Sequence, residues 1–157
     1  MSTLKKSLLA VLLTILSTGF LSSCTFDRSN SNNSHSNPTT KNYEDYEERH
    51  LDSLTFFDQE DDYYYVYIYS KTCSPCTSIK ETIFTLADGM PNIYFYEYNV
   101  ELRLSQEDMT TLIGASKFKD LFINGTPSLF KIENKVVKLA TSGKSKVVDT
   151  LFEDYNS

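Results

Sequence analysis

The sequence contains few cysteines and no excess of basic residues, and each shortage excludes a class of protein. Three cysteines among 157 residues are too few for a fold held together mainly by disulfide bonds. Fifteen Lys and Arg against 21 Asp and Glu give a net charge of −6, which argues against nucleic-acid binding because phosphate recognition needs a basic surface. Since the cysteine count is odd, at least one cysteine cannot pair within the chain and needs another role.

Residues 1–23 read as a secretory signal. Lys5 and Lys6 precede an apolar run from Leu8 to Leu21, which is shorter than the ~20 residues that a membrane-spanning helix usually needs. Small residues directly before Cys24 resemble the lipobox of bacterial lipoproteins. That resemblance implies cleavage before Cys24 and a lipid on it, and an uncleaved membrane anchor is the alternative. We therefore expect an extracytoplasmic protein, anchored to the bacterial cell membrane through Cys24.

Residues 24–42 are predicted to be a flexible tether behind the lipid anchor. Ser, Asn and Thr supply twelve of the eighteen residues from 25 to 42, and such a segment buries too little apolar surface to offset the entropy cost of ordering it. The remaining residues, 43–157, have the length of one ordinary domain. We therefore expect one folded domain after the signal and the tether.

In that domain, strand and helix patterns alternate. The run Tyr63–Tyr69 is rich in aromatic and β-branched residues and predicts a strand that is buried on both faces. The other predicted elements are a helix over Tyr43–Phe57, a helix from the motif to about Asp88, a strand over Asn92–Val100, a helix from a capping box at Ser105, a helical turn over Lys117–Phe122, a hairpin of Leu129–Ile132 and Val136–Ala140, and a helix after Gly143. This order predicts an α/β fold with a central mixed sheet flanked by helices on both faces.

The motif that carries chemistry is Cys73-Ser74-Pro75-Cys76, between a predicted strand and a predicted helix. This place puts Cys73 at the helix N-terminus, where free N–H groups and the helix dipole stabilise a thiolate and lower its pKa. Pro75 suits the first helical turn and stiffens the loop between the two sulfurs. Cys76 is close enough along the chain to form a disulfide with its neighbour. An active redox pair, a static disulfide and a pair of metal ligands are the possible interpretations.

The metal and the static disulfide are the weaker interpretations. A pair of cysteines supplies only two of the four ligands that zinc normally takes, and the chain has no second pair and only His35 and His50 as histidines. An extracytoplasmic copper chaperone would need a distant histidine on the same face as the two cysteines, and no histidine follows Cys76. A disulfide across so few residues restricts the unfolded chain little. We therefore expect a redox pair and no metal.

From about residue 60 to residue 156 the chain resembles the thioredoxin family. The features that carry the resemblance are a strand leading into Cys73-Ser74-Pro75-Cys76, a helix leading out of it, the later Thr126-Pro127-Ser128, and a terminal hairpin, Gly143 and helix. The short motif alone is only moderately specific. The motif together with the later turn and the terminal elements makes the resemblance considerably stronger.

The resemblance assigns roles to individual residues. Cys73 matches the exposed nucleophile that attacks a substrate disulfide, and Cys76 matches the cysteine that resolves the mixed disulfide. Pro127 matches a proline that is cis in this family and lies beside the active disulfide. Thr126 would offer backbone N–H and C=O groups to an extended substrate segment. The expected substrate-binding residues are Thr126, Ser74 and Pro75.

Two positions depart from the thioredoxin pattern. Thioredoxins carry a buried Asp six residues before the first cysteine, and this chain has Tyr67 there, which we interpret as core packing. Where thioredoxins place a Lys that partners that Asp, this chain has Glu97. We hypothesise that a buried Glu97 with a raised pKa accepts the proton of Cys76, and the alternative is a Glu97 that reaches solvent. Lys71 either lowers the pKa of Cys73 or is simply solvated.

The resemblance implies a thiol–disulfide oxidoreductase whose only redox group is the Cys73–Cys76 disulfide, without a separate cofactor. Ser-Pro between the cysteines keeps the proline of reducing thioredoxins and lacks the Pro-His pair of strong oxidants, which favours a reductant or an electron relay. Expected partners are cysteine-containing exported proteins, a membrane thiol-electron donor or acceptor, and the membrane itself, for a monomer that binds no nucleic acid. An oxidase, or an accessory protein for bacteriocin export or folding, is the enzymatic alternative. A non-catalytic surface binding lipoprotein with the same fold is the alternative from another class.

Overall fold

A computed structural model describes residues 40–157. The predicted signal over residues 1–23, Cys24 and most of the predicted tether lie outside the described residues. Within residues 40–157, no helix combines the length and the apolar character needed to cross a membrane. The strands and α-helices are β1 (Tyr63–Tyr69), α1 (Ser74–Gly89), β2 (Ile93–Glu97), β3 (Arg103–Leu104), β4 (Phe122–Ile123), β5 (Ser128–Glu133), β6 (Val136–Ser142) and α2 (Lys144–Tyr155).

A four-stranded mixed sheet in the order β2-β1-β5-β6 forms the centre of the domain. β1 runs parallel to β2, with Tyr67 opposite Phe95, and antiparallel to β5, with Tyr67 opposite Leu129. β5 and β6 form an antiparallel hairpin whose turn contains Asn134 and Lys135, both with positive φ. The predicted α/β class with a mixed sheet is therefore confirmed. Apart from the short strands β3 and β4, which pair with each other, the order is β-α-β followed by β-β-α, which is thioredoxin-like.

β1 is buried on both faces, as its sequence predicts, because its side chains alternate between two hydrophobic cores. Tyr65, Tyr67 and Tyr69 point into the core that α1 and α2 cover. Val66 and Ile68 point into a second core on the opposite face of the sheet. Six of the seven residues of β1 are buried, so this strand forms the centre from which the motif emerges.

Helices flank both faces of the sheet, but those described on the second face are short 3₁₀ helices, Met109–Leu112 and Phe118–Asp120. The helix predicted from Ser105 is therefore a single turn, capped by the Asp108 carboxylate. It ends early because Ile113 is extended and Gly114 has a positive φ, a turn that lets the N–H of Gly114 donate to the Val137 carbonyl of the edge strand β6.

The helix predicted over Tyr43–Phe57 is also shorter in the structure, where a 3₁₀ helix covers Tyr43–Arg49. After Arg49 the chain runs beside the edge of β2, and the backbone N–H of Leu51 donates to the Phe95 carbonyl over 2.8 Å. A residue that pairs with a strand in this way has an extended backbone. The pairing therefore ends the helix at Arg49.

This N-terminal 3₁₀ helix packs against the core beside α1. The ring of Tyr43 stacks on that of Tyr69, with 3.6 Å between the ring centroids. The Tyr46 hydroxyl donates to the Asp88 carboxylate near the end of α1 over 2.7 Å. Lys41, in the described end of the predicted tether, forms an ion pair with the same carboxylate. The segment before β1 is therefore part of the folded domain.

A candidate redox-active disulfide

The Cys73-Ser74-Pro75-Cys76 motif joins β1 to α1, as the sequence predicts. Cys73 is the N-cap of α1, and Ser74 and Pro75 are its first two helical residues, both exposed to solvent. A proline in this turn costs no hydrogen bond because the first N–H groups of a helix have no partner within it. The helix therefore begins inside the motif and fixes both cysteines relative to its end.

The two cysteines form a disulfide, with their Cα atoms 5.2 Å apart. Cys73 is partly exposed, whereas Cys76 is only 1% exposed. The backbone N–H of Cys76 donates to the Cys73 sulfur over 3.1 Å. This N–H group and the positive end of α1 stabilise negative charge on that sulfur when the disulfide opens. Cys73 is therefore both the sulfur that a partner can reach and the one that α1 stabilises as a thiolate.

The loop before β5 places Thr126 and Pro127 beside Cys73. The Thr126 carbonyl oxygen lies 3.2 Å from the Cys73 sulfur, and the Thr126–Pro127 peptide bond is cis, as the resemblance implies. The Pro127 carbonyl accepts a hydrogen bond of 2.9 Å from the N–H of Gly143, which ties this loop to the start of α2. Thr126 is partly exposed and makes no backbone–backbone hydrogen bond with the described residues. Its backbone groups are therefore available to an extended segment.

Tyr67 lies in the core behind the motif, in agreement with its interpretation as core packing. Burial raises the pKa of its hydroxyl well above the usual value. The hydroxyls of Tyr67 and Tyr43 are both buried, and neither has a hydrogen-bond partner in the part of the chain that the structure describes. A phenol in this state does not ionise near neutral pH, so it cannot take a proton from a thiol. The position where thioredoxins carry a buried Asp therefore holds no proton acceptor.

Glu97 does not meet the condition on which its predicted role as proton acceptor depends, which is burial. It is the last residue of β2, and its side chain is 46% exposed and lies 3.2 Å from the Lys71 ammonium. The side chain reaches water because the strand ends at this residue, at the edge of the sheet. Of the two alternatives for Glu97, the structure shows the solvent-exposed one and not the buried proton acceptor.

A cleft of about 230 Å³ lies on the other side of the disulfide, where Cys76 contributes to its wall. Lys71 stands at this cleft with its ammonium 3.3 Å from Glu44. Its contacts with Glu97 first, and then with Glu44, raise the pKa of Lys71. We call this space the Cys76 cleft, and its lining residues are Asn42, Tyr43, Glu44, Ser70, Lys71, Cys76, Thr77 and Lys80.

The sequence does not identify Tyr43 and Glu44 as residues of this site. They lie thirty residues before the motif, and the only signal at Glu44 is an acidic first turn, which is equally typical of any helix start. Their place at the cleft depends on how the N-terminal 3₁₀ helix packs on Tyr69. That packing is a tertiary contact without a local sequence pattern.

His50 lies behind the wall that Tyr43 and Tyr69 form. Its Nδ1 is 3.1 Å from the Tyr46 carbonyl, to which it donates, so its Nε2 accepts from the Tyr69 hydroxyl over 3.0 Å. Burial lowers the pKa of this histidine, which favours the neutral ring that these two bonds require. Among residues 40–157, no three His, Cys, Asp or Glu side chains are grouped in a way that could hold a metal ion.

The chain is similar to thioredoxins among proteins of known structure. Thioredoxin f2 of Chlamydomonas reinhardtii is 20% identical, over 67% of this chain and 94% of that chain, with a TM-score of 0.46. The short form of thioredoxin f from spinach chloroplast is 18% identical, over 69% of this chain and 92% of that chain, with a TM-score of 0.46. A Malassezia sympodialis thioredoxin is 15% identical, over 68% and 90% of the respective chains, with a TM-score of 0.44. No family model and no curated protein matches the chain.

Proposed function

We propose that the chain is an extracytoplasmic thiol–disulfide oxidoreductase that exchanges electrons with the disulfides of exported proteins through Cys73 and Cys76. The observation that supports this proposal is the asymmetry of the pair. Cys73 is partly exposed beside the backbone of Thr126, whereas Cys76 is buried directly behind it. A protein partner can reach only the first sulfur, and only the second sulfur is placed to release that partner.

In the reducing direction, the Cys73 thiolate attacks a substrate disulfide and bonds to one of its sulfurs. The other substrate sulfur leaves as a thiolate and takes up a proton. Cys76 then loses its proton and attacks the Cys73 sulfur, which forms the Cys73–Cys76 disulfide and releases the second substrate thiolate. Two electrons pass from the protein dithiol to the substrate, and a membrane thiol-electron donor restores the dithiol by the same exchange.

For the direction of transfer, we propose a reductant or an electron relay. The two residues between the cysteines, Ser74 and Pro75, carry no charge, and neither offers the ionisable ring that stabilises the thiolate of a strong oxidant. The reduction potential of the pair, measured by equilibration in thiol redox buffers, tests the direction. A reduction potential of about −270 mV is expected, and one of about −120 mV would instead indicate an oxidase.

For the location, we propose that a lipid on Cys24 holds the protein on the outer side of the cell membrane. The support is the sequence alone, in which a basic and apolar leader ends in small residues before Cys24. Cells expressing Cys24→Ala should incorporate no labelled fatty acid into the protein, whereas the wild type should be labelled. Labelling of the variant at the level of the wild type would contradict the proposal.

The exchange proposal itself is tested by trapping the mixed disulfide. In Cys76→Ser, Cys73 can still attack a peptide disulfide but cannot be resolved, so a covalent adduct that dithiothreitol releases should accumulate. The matched variant Cys73→Ser should form no adduct. A Cys76→Ser protein that forms no adduct, together with a wild type that reduces no peptide disulfide, would instead indicate a non-catalytic binding protein.

A further inference from the structure

The resolving step proposed above needs a group that takes the proton of Cys76. Cys76 is buried in the apolar core, where bulk water has little access to its sulfur. The hydroxyls of Tyr43 and Tyr67 lie on the core side of the motif, and burial raises the pKa of both. Neither can accept a proton at neutral pH. A group that can accept the proton is instead found where Cys76 borders the Cys76 cleft.

Three ionisable side chains with charge at neutral pH line the Cys76 cleft, namely Glu44, Lys71 and Lys80. The two lysines are cations and cannot accept a proton while they are charged. Glu44 is the only carboxylate among the lining residues, and Lys71 holds it there at 3.3 Å. A cleft of about 230 Å³, lined by both Glu44 and Cys76, also has room for several water molecules.

We propose that Glu44 accepts the proton of Cys76 through water in this cleft, an inference that rests on the exchange function proposed above. As the proton leaves, the Cys76 sulfur attacks Cys73, the bond between these two sulfurs forms, and the substrate sulfur departs with the electrons of the broken bond. Lys71 and Lys80 stabilise the thiolate while it exists. The Glu44 side chain is 70% exposed, so it returns the proton to bulk water.

The contacts of Glu44 hold its carboxyl in the ionised form, the only form that can accept a proton. A hydrogen bond from its own backbone N–H, and then the Lys71 ammonium, lower the pKa of this carboxyl. It is therefore ionised throughout the pH range in which thiols titrate. A neighbouring cleft of about 320 Å³ shares Glu44 but does not include Cys76, and the other titratable residues that line it are Tyr43, Glu47, His50, Tyr69, Lys71 and Glu97.

Stopped-flow mixing of the reduced full-length chain with an excess of an aromatic disulfide separates the two steps. Release of the first coloured thiolate reports the attack by Cys73 and depends on reagent concentration. Release of the second coloured thiolate reports the attack by Cys76 and does not depend on reagent concentration. The variants compared are Glu44→Gln and its matched control Glu47→Gln, which removes the same charge from the same 3₁₀ helix but outside the Cys76 cleft.

Glu44→Gln should slow the second phase about tenfold at about pH 6.5. Its rate should then rise with pH and reach the wild-type rate above about pH 9, where the thiol ionises without help. Glu47→Gln should follow the wild type at every pH. Both side chains are exposed, so neither substitution threatens the fold.

A purely electrostatic effect of Glu44 has the opposite sign. Removing a negative charge beside Cys76 would lower the pKa of the thiol and accelerate its attack. An unchanged or faster second phase in Glu44→Gln would therefore overturn this inference and leave the exchange function intact, as would equal slowing in Glu47→Gln. A wild-type protein without a concentration-independent second phase would overturn the exchange function as well.

Discussion

The two sulfurs of the disulfide lie in contrasting surroundings. The hydrogen-bonding groups at the Cys73 sulfur are two backbone groups, the N–H of Cys76 and the carbonyl of Thr126. Cys76 instead faces a cleft lined by the Tyr43 ring and by ionisable side chains such as Glu44. The attacking sulfur is thus controlled by the geometry of a helix end, and the resolving sulfur by side chains distant in sequence. Substitutions should therefore affect the two steps separately.

The largest expected effect divides the two sulfurs directly. Cys73→Ser should eliminate the first, concentration-dependent phase of reaction with an aromatic disulfide, because Cys76 is buried. Cys76→Ser should retain that phase at close to the wild-type rate and lose the second. The measurement is the amplitude of each phase in stopped flow. A first phase that persists in Cys73→Ser would show that reagents reach Cys76 directly, which would break the contrast.

The next largest effect concerns Tyr43, which lines the Cys76 cleft. Tyr43→Ala removes a buried ring that stacks on Tyr69, and it should lower the free energy of unfolding by about 3–4 kcal/mol. It should also expose Cys76, so that the reduced protein is alkylated faster at that residue. Tyr46→Ala is the control, because Tyr46 is buried on the same 3₁₀ helix but does not line the Cys76 cleft. Equal acceleration in both variants would indicate general unfolding instead of local opening.

A smaller effect on the free energy of unfolding distinguishes a buried hydroxyl that has a hydrogen-bond partner from one that has none among the described residues. Tyr67→Phe removes a buried hydroxyl without a hydrogen bond among the described residues and should raise the free energy of unfolding by about 1 kcal/mol. Tyr64→Phe removes a hydroxyl that donates to the Phe56 carbonyl over 2.9 Å and should lower it by about 1 kcal/mol. Chemical denaturation measures both.

The same pair of variants tests the chemistry of the core side of the disulfide. Since neither hydroxyl takes part in proton transfer, Tyr67→Phe should leave the pH profile of the second phase unchanged. If the pH profile of the second phase moved to higher pH in Tyr67→Phe but not in Tyr64→Phe, the proton acceptor for Cys76 would lie in the core. That result would also contradict the role of the Cys76 cleft.

The smallest effect is a pH dependence of stability due to His50, which supports the wall through its bond to Tyr69. Burial lowers the pKa of His50 in the folded protein, so the unfolded chain binds the proton more readily. Stability should therefore fall as the pH drops below about 6.5, the ordinary pKa of histidine. In His50→Gln this decrease should be weaker, as measured by thermal unfolding across that range. Identical slopes would show that His50 does not contribute.

The parts of the fold that depend on local pattern were predictable from the sequence. The aromatic and β-branched run predicts β1 with its observed ends, Tyr63 and Tyr69, and the motif predicts where α1 begins. The predicted helix over Tyr43–Phe57 was wrong in its length. Helical spacing in the sequence cannot show that Leu51 will pair with the edge of β2, since that pairing joins segments distant along the chain.

The site was predictable to a similar degree. The sequence and its resemblance to thioredoxins predict that Cys73, Cys76, Thr126 and Pro127 belong to one site, and the structure brings them together. The sequence left burial and exposure of Glu97 open, because the predicted strand continues past this residue, whereas the observed strand ends at it. A residue inside a strand and a residue at its end differ in exposure, and the end depends on tertiary contacts.

The packing of the N-terminal 3₁₀ helix also decides how the protein can be shortened for experiments. A recombinant domain that begins at β1 would keep both cysteines and the Thr126–Pro127 loop. It would lack Tyr43 and Glu44, so the Tyr69 ring would lose its stacking partner and the cleft one of its walls. Such a fragment would also lose the buried rings of Tyr46 and Phe56, and with them part of both cores. A domain intended for kinetics therefore has to begin at or before Lys41, whose ion pair with Asp88 attaches the segment to α1.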